Sequence, residues 1–380
     1  MTKKSQFDRT IYLFQGGGAL GSYQAGVFQA LHEHGYQPDW IIGTSIGAIN
    51  SAIIAGNAPE NRVEKLQGFW QTIATKLPPP PEGINNILME RGYHYLSSKL
   101  TEWLGQPGFF RPRLISPWLN AESTVDKLSY YDTEELRDTL TRFIDFDLLN
   151  EKKVRLCVGA VRIATGQLVY FDNTKIEIKP EHIMASGAIP PGFPAICIDE
   201  AMYWDGGVHS NTQINLLFDE ISSIKTLCIM VHLFDSFGKR PANMDDVLKR
   251  QKDIKYASHH REFIHAFRTM HYLKTAIHQL SRHLPKEKKE DPKLKKLIEL
   301  GTDNLIHLAR FHYKGKKSDL SSKDYEFSLA TIQEHLRCGY VDACRTLKDP
   351  PWEKPHNEKE GLIVYELSEE ETPEGVMFTE

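Results

Sequence analysis

Short apolar runs alternate with stretches of helical periodicity over the first part of the chain. Arg9 to Gln15 and Asp39 to Thr44 are two β-rich runs. Between them, residues recur at the spacing of one helix face: Leu20, Tyr23, Gln24, Val27, Phe28 and Leu31. Gly35 ends this predicted helix, and Ile46 to Ala55 predicts a second helix of small residues. This order favours an α/β fold with a central, mostly parallel sheet flanked by helices.

Alternation between the two kinds of element continues to about residue 235. Thr133 to Phe143 has helical spacing, and two runs predict a hairpin, Val154 to Val161 and Gln167 to Phe171. Three further β-rich runs are Ile196 to Ile198, Met202 to Trp204 and Thr226 to Leu233. We therefore assign residues 9–235 to one α/β domain.

The pattern changes after Lys239. Helical periodicity predicts one long, mostly helical stretch from Met244 to Leu284, and further helices over Pro292 to Leu308 and Phe327 to Leu347. We expect residues 240–347 to form a helical, basic, His-rich extension. Residues 348–380 are predicted to form an acidic tail.

Charge separates these segments. Lys239 to Lys317 carries 20 Lys and Arg against 9 Asp and Glu, a balance of +11, while the chain as a whole has a net charge of −4. Such a segment attracts anionic surfaces such as phospholipid headgroups or nucleic acid. The simpler interpretation is a solvated helical face that pairs with the acidic remainder, and we expect no nucleic-acid partner.

The sequence contains no apolar run of about 18 residues, so it predicts no membrane-spanning helix. The apolar stretch Ile11 to Phe14 is too short for the core of a signal peptide. We expect a cytoplasmic protein, with peripheral membrane binding and signal-independent secretion as alternatives. The five scattered cysteines are expected to be reduced thiols.

A G-x-S-x-G sequence, Gly43-Thr44-Ser45-Ile46-Gly47, lies between a predicted strand and a predicted helix. A nucleophile elbow needs this arrangement, because the serine sits on a sharp turn that bulky neighbours would obstruct. The N-terminus of the following helix also favours negative charge beside the serine. We therefore interpret Ser45 as a nucleophile in preference to an idle residue of a structural turn.

Three consecutive glycines, Gly16, Gly17 and Gly18, join the first strand to the first helix. They allow backbone N–H groups to converge on a developing oxyanion. With Gly21, this loop also fits the G-x-G-x-x-G pattern of dinucleotide-binding proteins. That pattern predicts an acidic residue at the end of the second strand, whereas Asp39 precedes that strand. We therefore favour the oxyanion interpretation.

Asp205-Gly206-Gly207 follows a short β-rich run, which leaves the aspartate accessible at the end of a strand. An Asp-Gly pair alone is also a common turn. Beside a nucleophile elbow and a glycine-rich loop, Asp205 becomes a candidate base.

Together these features resemble the patatin-like phospholipase family. In that family a glycine-rich loop forms the oxyanion hole, a G-x-S-x-G serine attacks the ester, and the aspartate of a D-G-[GA] motif acts as base without histidine. The segment Ala185 to Pro190, with Phe193-Pro194, is similar to the family's sequence upstream of that aspartate. The resemblance covers about residues 9–235, and the later region looks similar to a helical extension of some bacterial members.

The resemblance implies that Ser45 is the nucleophile and Asp205 the general base. It implies that the N–H groups of the three loop glycines bind the oxyanion, and that four further glycines support the motifs: Gly43, Gly47, Gly206 and Gly207. The implied reaction is hydrolysis of lipid carboxylic esters, of phospholipase A or lysophospholipase type. It proceeds through an acyl-enzyme without a metal or an organic cofactor.

Alternatives remain open at this point. The same dyad would serve a thioesterase or a depolymerase of storage polyesters, and a lipid-binding or scaffolding protein could keep the fold with little turnover. Family members often carry Arg or Lys where this chain has Leu20, and proline where it has Gln213. The implied partner is a lipid or a membrane-surface substrate. Self-association through residues 240–347 is an alternative role for the extension.

Two groups of residues invite other interpretations. His209 or His232 could act as base in place of a Ser-Asp dyad, and five histidines could suggest a metal site: His259, His260, His265, His271 and His278. We expect neither role. Four aromatic residues could line an acyl path or touch lipid, although ordinary packing is the simpler expectation: Trp103, Phe109, Phe110 and Trp118.

Overall fold

The computed structural model describes residues 6–78, 86–119, 124–212, 214–217, 224–257, 259–356 and 361–367. Its strands are β1 (Arg9–Phe14), β2 (Trp40–Gly43), β3 (Arg111–Pro112), β4 (Tyr131–Asp132), β5 (Arg155–Arg162), β6 (Gln167–Asp172), β7 (Ile196–Ile198), β8 (Ala201–Asp205), β9 (Lys225–His232), β10 (Leu305–His312) and β11 (Leu362–Glu366). Its helices are α1 (Gly21–Glu33), α2 (Ile46–Ala55), α3 (Arg62–Thr72), α4 (Ile87–Leu104), α5 (Glu134–Phe143), α6 (Phe146–Asn150), α7 (Pro180–Ser186), α8 (Met244–Ala257), α9 (His259–Arg282), α10 (Lys286–Lys289), α11 (Pro292–Ile298) and α12 (Leu329–Leu347).

One mixed sheet organises the chain, in the order β11-β10-β9-β1-β2-β5-β8-β7, and β6 also pairs with β5. The strands from β11 to β5 run parallel, while β6, β7 and β8 add antiparallel pairs. This architecture confirms the predicted α/β class with a mostly parallel central sheet. Because parallel strands end at the same edge, the loops after β1 and β2 meet there.

Alternate residues of the central strands point to two apolar layers. Tyr12 and Phe14 of β1 pack with α1, α2 and α12 on one face, where Phe28, Ile49 and Ile332 are fully or almost fully buried. Ile11 and Leu13 belong to the second layer, which includes Trp40, Met230 and Phe267 of α9. The sheet is therefore covered on both faces, as its long apolar runs require.

The predicted helix from Pro292 to Leu308 is wrong over its second half. Helix α11 ends at Ile298, and Leu305–His312 forms β10, which lies between β9 and β11. All but the end residues of β10 are buried, although its sequence, LIHLARFH, includes the polar residues His307 and Arg310. These two residues are three positions apart, which is helical spacing and not the alternation of a half-buried strand. A short segment with this pattern cannot be distinguished from helix by periodicity alone.

Two strands from the C-terminal region thus extend the sheet of the first 235 residues. The predicted long helical stretch from Met244 is divided into α8 and α9, with residue 258 outside the described part. Strand β11 lies within the predicted acidic tail, of which residues 368–380 lie outside the described residues. The three-segment division stays a prediction. No helix in the described ranges is both long enough and apolar enough to span a bilayer.

Candidate active site

Ser45 occupies the turn between β2 and α2. Its backbone angles are φ 56° and ψ −126°, an uncommon conformation for a residue with a side chain. Glycine is required on both sides, because a Cβ at Gly43 would overlap the Gly47 carbonyl and one at Gly47 would overlap that of Phe14. The segment therefore has the strand–turn–helix geometry of a nucleophile elbow, with Ser45 at the carboxyl end of β2.

The elbow is held by a serine that sequence reasoning did not assign a role. The Ser45 N–H donates to both the Oγ and the carbonyl oxygen of Ser186, each at 3.1 Å. The Ser186 hydroxyl in turn donates to the Gly159 carbonyl at 2.7 Å. Because Ser186 is completely buried, this chain fixes the elbow between α7 and β5. The signal available in the sequence was the Ala185-Ser186-Gly187 segment.

Asp205 ends β8 with its carboxylate turned toward the elbow. The Gly207 N–H donates to Asp205 Oδ1 at 2.6 Å, and the Asp205 N–H donates to the Ala188 carbonyl at 2.9 Å. Burial raises the pKa of Asp205 from 3.8 to about 7, although hydrogen bonds from the Ser45 hydroxyl and the Gly207 N–H act to lower it. Ser45 and Asp205 are therefore direct neighbours, and the carboxyl group titrates near neutrality.

The glycine loop closes over the same point. A Cβ at Gly16 would lie 2.9 Å from that of Ser45, and Gly18 has a positive φ of +55°. Asn211 anchors the loop, because its Nδ2 donates to the Gly16 carbonyl at 2.9 Å and its own carbonyl accepts the Gly16 N–H at 3.4 Å. Sequence reasoning missed Asn211, whose only signal was its place shortly after Asp205-Gly206-Gly207.

A cavity of about 440 Å³ opens beside these groups and is lined by Ser45, Asp205 and the three loop glycines. Eight aromatic residues also line it: Phe109, Phe110, Tyr131, Phe193, Phe234, Tyr256, Tyr325 and Phe327. The volume and the apolar lining are typical of a small-ligand site.

The C-terminal region forms part of this wall. Tyr256 of α8 lies near Asp324 and Asp205. Burial is the largest cause of the raised pKa of its phenol, and the negative charges of Asp324 and Asp205 raise this pKa further. A Cβ at Gly18 would overlap the Asp324 carbonyl, so the segment that carries Asp324 rests directly on the glycine loop. Residues predicted to belong to an extension are therefore part of the site.

Two family models match the chain. The model described as patatin-like phospholipase covers residues 12–218, and one described as patatin phospholipase covers residues 254–359. This chain belongs to the patatin-like phospholipase family. The first match includes the glycine loop, the elbow and Asp205, and the second includes Tyr256 and Asp324, which line the same cavity.

Individual relatives of this patatin-like chain are distant. The uncharacterized protein YqhO of Bacillus subtilis (strain 168) is 25% identical over 186 residues, which are 48% of this chain and 50% of that protein. The chain thus spans about half the length of this curated relative. VipD from Legionella pneumophila aligns with 94% of this chain and 71% of its own at 12% identity and a TM-score of 0.35. The type III effector ExoU aligns over 88% and 53%, at 12% identity and a TM-score of 0.28.

Neither His209 nor His232, the two alternative bases, lines the cavity of this patatin-like protein. His209 is exposed, and among the described residues no histidine lines the cavity. His232 is buried elsewhere, where it stacks on His312 at 4.5 Å and its Nε2 accepts a hydrogen bond from Arg310 at 3.2 Å.

A dinucleotide-binding site would need an acidic residue at the end of the second strand, and Asp39 does not lie there. Asp39 lies before β2, where its Oδ2 accepts the Thr10 N–H at 2.7 Å, so it lies at the end of the sheet opposite the glycine loop. In the described ranges, no group of His, Cys, Asp and Glu has the arrangement of a metal site. The side chains of His259 and His260, and all of Gln213, lie outside the described residues.

Proposed function

We propose that this chain is a serine acyl hydrolase that cleaves carboxylic esters of lipids, of phospholipase A or lysophospholipase type. The observation that supports this most strongly is that Ser45 lines the same cavity as a buried Asp205, whose pKa is about 7 and is influenced by Ser45. A base with that pKa is half ionised near neutral pH and still strong enough to take a proton in the transition state. An ordinary aspartate, with a pKa near 3.9, would be much weaker.

In the proposed reaction, Ser45 Oγ attacks the acyl carbonyl while its proton moves to the Asp205 carboxylate. The carbonyl oxygen becomes an oxyanion, which the N–H groups of Gly16, Gly17 and Gly18 stabilise. Because the Gly16 N–H already donates to Asn211, we assign the larger share to Gly17 and Gly18. Asp205 then returns the proton to the leaving alkoxide, and the acyl-enzyme remains.

Hydrolysis of the acyl-enzyme completes the cycle. Asp205 accepts a proton from water, the resulting hydroxide attacks the acyl carbonyl, and Ser45 leaves with the proton as the fatty acid is released. The aromatic wall suits an acyl chain and limits access of bulk water. Because the base must be ionised, the rate below about pH 7 should rise about tenfold per pH unit.

The proposal is tested by fatty acid release from phosphatidylcholine and lysophosphatidylcholine in detergent micelles, measured by mass spectrometry. Ser45→Ala and Asp205→Asn should each lower the rate at least about 1000-fold. Asp199→Asn, a matched change in the exposed turn before β8, should leave it unaltered. Parallel reactions with an acyl-CoA and a hydroxyalkanoate oligomer separate lipid hydrolysis from thioesterase and depolymerase activity. Undiminished release by Ser45→Ala would contradict the proposal.

A further inference from the structure

Helix α4 presents its apolar residues to solvent and its polar residues to the protein. Tyr95 and Leu96 lie seven and eight residues after Leu88, and Trp103 lies eight and seven residues after them. The four residues therefore share one face, and all four are exposed. We call these four residues the outer face of α4. The buried residues of the helix are instead Ser97, Ser98 and Thr101. A helix that only covers a core has the reverse orientation.

Specific polar contacts hold α4 in this orientation. Arg91 pairs with Asp245 at 3.1 Å and with Asp246 at 3.4 Å, both on α8. His94 Nδ1 lies 3.4 Å from a carboxylate oxygen of Glu326. These partners are positioned by the fold, so the exposure of the outer face does not reflect a helix that has failed to pack.

The apolar surface continues into the segment after α4. Leu114, Ile115, Trp118 and Leu119 are exposed, and Trp118 and Trp103 retain 81% and 74% of their accessible surface. Isolated exposed apolar residues are ordinary, but a helix face followed by four more such residues is a feature of interaction sites. Tryptophan and tyrosine are the side chains typical of a membrane–water interface.

This surface borders the cavity. Thr101 and Glu102 line the cavity, and the next residues, Trp103 and Leu104, are exposed. After the helix, the chain passes through Phe109 and Phe110, which also line the cavity, before it returns to exposed apolar residues. Whatever binds this surface is thus brought next to the catalytic groups.

The exposed tryptophan and tyrosine side chains favour a lipid surface as the occupant. The cations on or beside this surface are paired with carboxylates: Lys99 with Glu102 at 2.6 Å, Arg113 with Asp132 at 3.1 Å, and Arg111 with Glu135. The apolar and aromatic side chains therefore supply the attraction to a bilayer, and these ion pairs add no net charge.

We propose that the outer face of α4, together with the exposed residues Leu114, Ile115, Trp118 and Leu119, docks the protein on a lipid surface and places the cavity mouth against it. The benefit to catalysis rests on the proposed lipid hydrolase function, whereas the docking itself does not. Docking therefore persists when catalysis is removed.

The test uses the full chain carrying Ser45→Ala, so that vesicles are not consumed, and measures cosedimentation with vesicles of phosphatidylcholine and phosphatidylglycerol. The α4 variant carries Leu88→Gln, Leu96→Gln and Trp103→Gln, which preserve helix propensity. The matched control carries Tyr272→Gln, Leu273→Gln and Leu280→Gln on α9, where these residues are equally exposed. We expect the α4 variant to bind vesicles at least about tenfold more weakly and the α9 variant to bind like the parent.

Hydrolysis of p-nitrophenyl butyrate, a soluble ester, reports on catalysis separately. With Ser45 restored, the α4 variant should keep this activity within about twofold while its activity on vesicles falls. Loss of soluble activity in the parent would count against the proposed function alone. Docking is overturned if the parent binds no vesicles, if the α4 variant binds as the parent does, or if the α9 variant loses as much binding. It is also overturned if the parent is a dimer in size-exclusion chromatography that the α4 substitutions dissociate.

Discussion

At the scale of single residues, the site combines a strained serine with a buried acid. Ser45 holds a positive φ, and Asp205 is only 2% exposed. Each feature opposes folding, because a side chain disfavours that backbone region and burial disfavours a carboxylate. The remaining structure must therefore hold both in place, which is common at catalytic centres.

Asp205→Asn should stabilise the protein at alkaline pH. Since the folded-state pKa is about 7 and the ordinary value is 3.8, the folded protein binds this proton more tightly than the unfolded chain does. The cost of ionising Asp205 therefore grows as pH rises between these values. We expect the gain in unfolding free energy from Asp205→Asn to increase by about 2–3 kcal/mol from pH 5 to pH 8.

Urea unfolding of both proteins at the two pH values measures this difference. Asp199→Asn serves as the control, because it makes the same substitution at an exposed position. A gain that is the same at pH 5 and pH 8 would show that Asp205 does not have the raised pKa.

Sequence motifs identified the two residues that we propose to react, but not the residues that hold them. Ser45 and Asp205 lie in short patterns whose glycines are imposed by local backbone geometry. Ser186 and Asn211 act through contacts with residues 141 and 195 positions away, at Ser45 and Gly16. No local pattern encodes such contacts, because each depends on how distant elements come together.

At the scale of elements, α12 determines the position of α1 and, through it, the glycine loop. The two helices cross at glycines: a Cβ at Gly26 would overlap the Leu336 carbonyl, and one at Gly339 would overlap the Tyr23 carbonyl. Because α1 begins at Gly21, directly after the loop, any displacement of α1 changes the site.

Gly339→Ala should therefore destabilise the protein although alanine is the better helix former. The new methyl group must push the helices apart, which we expect to cost about 1–3 kcal/mol and to lower the hydrolysis rate. Gly92→Ala on α4 is the matched control, because nothing lies within 4 Å of its added Cβ. That change should stabilise the protein by about 0.5–1 kcal/mol. Equal effects of the two substitutions on thermal unfolding would refute the close crossing.

Elements with clear periodicity were predictable, and those buried on both faces were not. The sequence prediction for α2 agrees with the structure at both ends, because the elbow and Gly56 delimit it. By contrast, β10 was predicted as helix, since it is buried on both faces and its polar residues His307 and Arg310 lack the alternation of a half-buried strand.

At the scale of the whole molecule, the C-terminal region completes both the sheet and the cavity. Strand β10 pairs with β9 from Leu305 opposite Lys225 to His312 opposite His232. Tyr256 and Phe327 then reach the cavity from the same region. The basic charge of this region describes only its surface. Its strands β10 and β11 make it part of the main sheet.

This pairing predicts that the sheet and the C-terminal region unfold together. Differential scanning calorimetry should show one transition, with equal calorimetric and van't Hoff enthalpies, because β10 cannot leave without exposing β9. Two resolved transitions would instead support independent domains divided near residue 239.

The central claim is that a hydroxyl and a carboxylate from distant parts of the chain act as one catalytic pair. A fluorophosphonate probe, followed by peptide mass spectrometry, tests this most directly, because the probe reacts only with an activated serine. We predict modification at Ser45 in the parent protein and labelling at least about 100-fold slower in Asp205→Asn. Labelling at another serine, or an unchanged rate at Ser45 in Asp205→Asn, would contradict the claim.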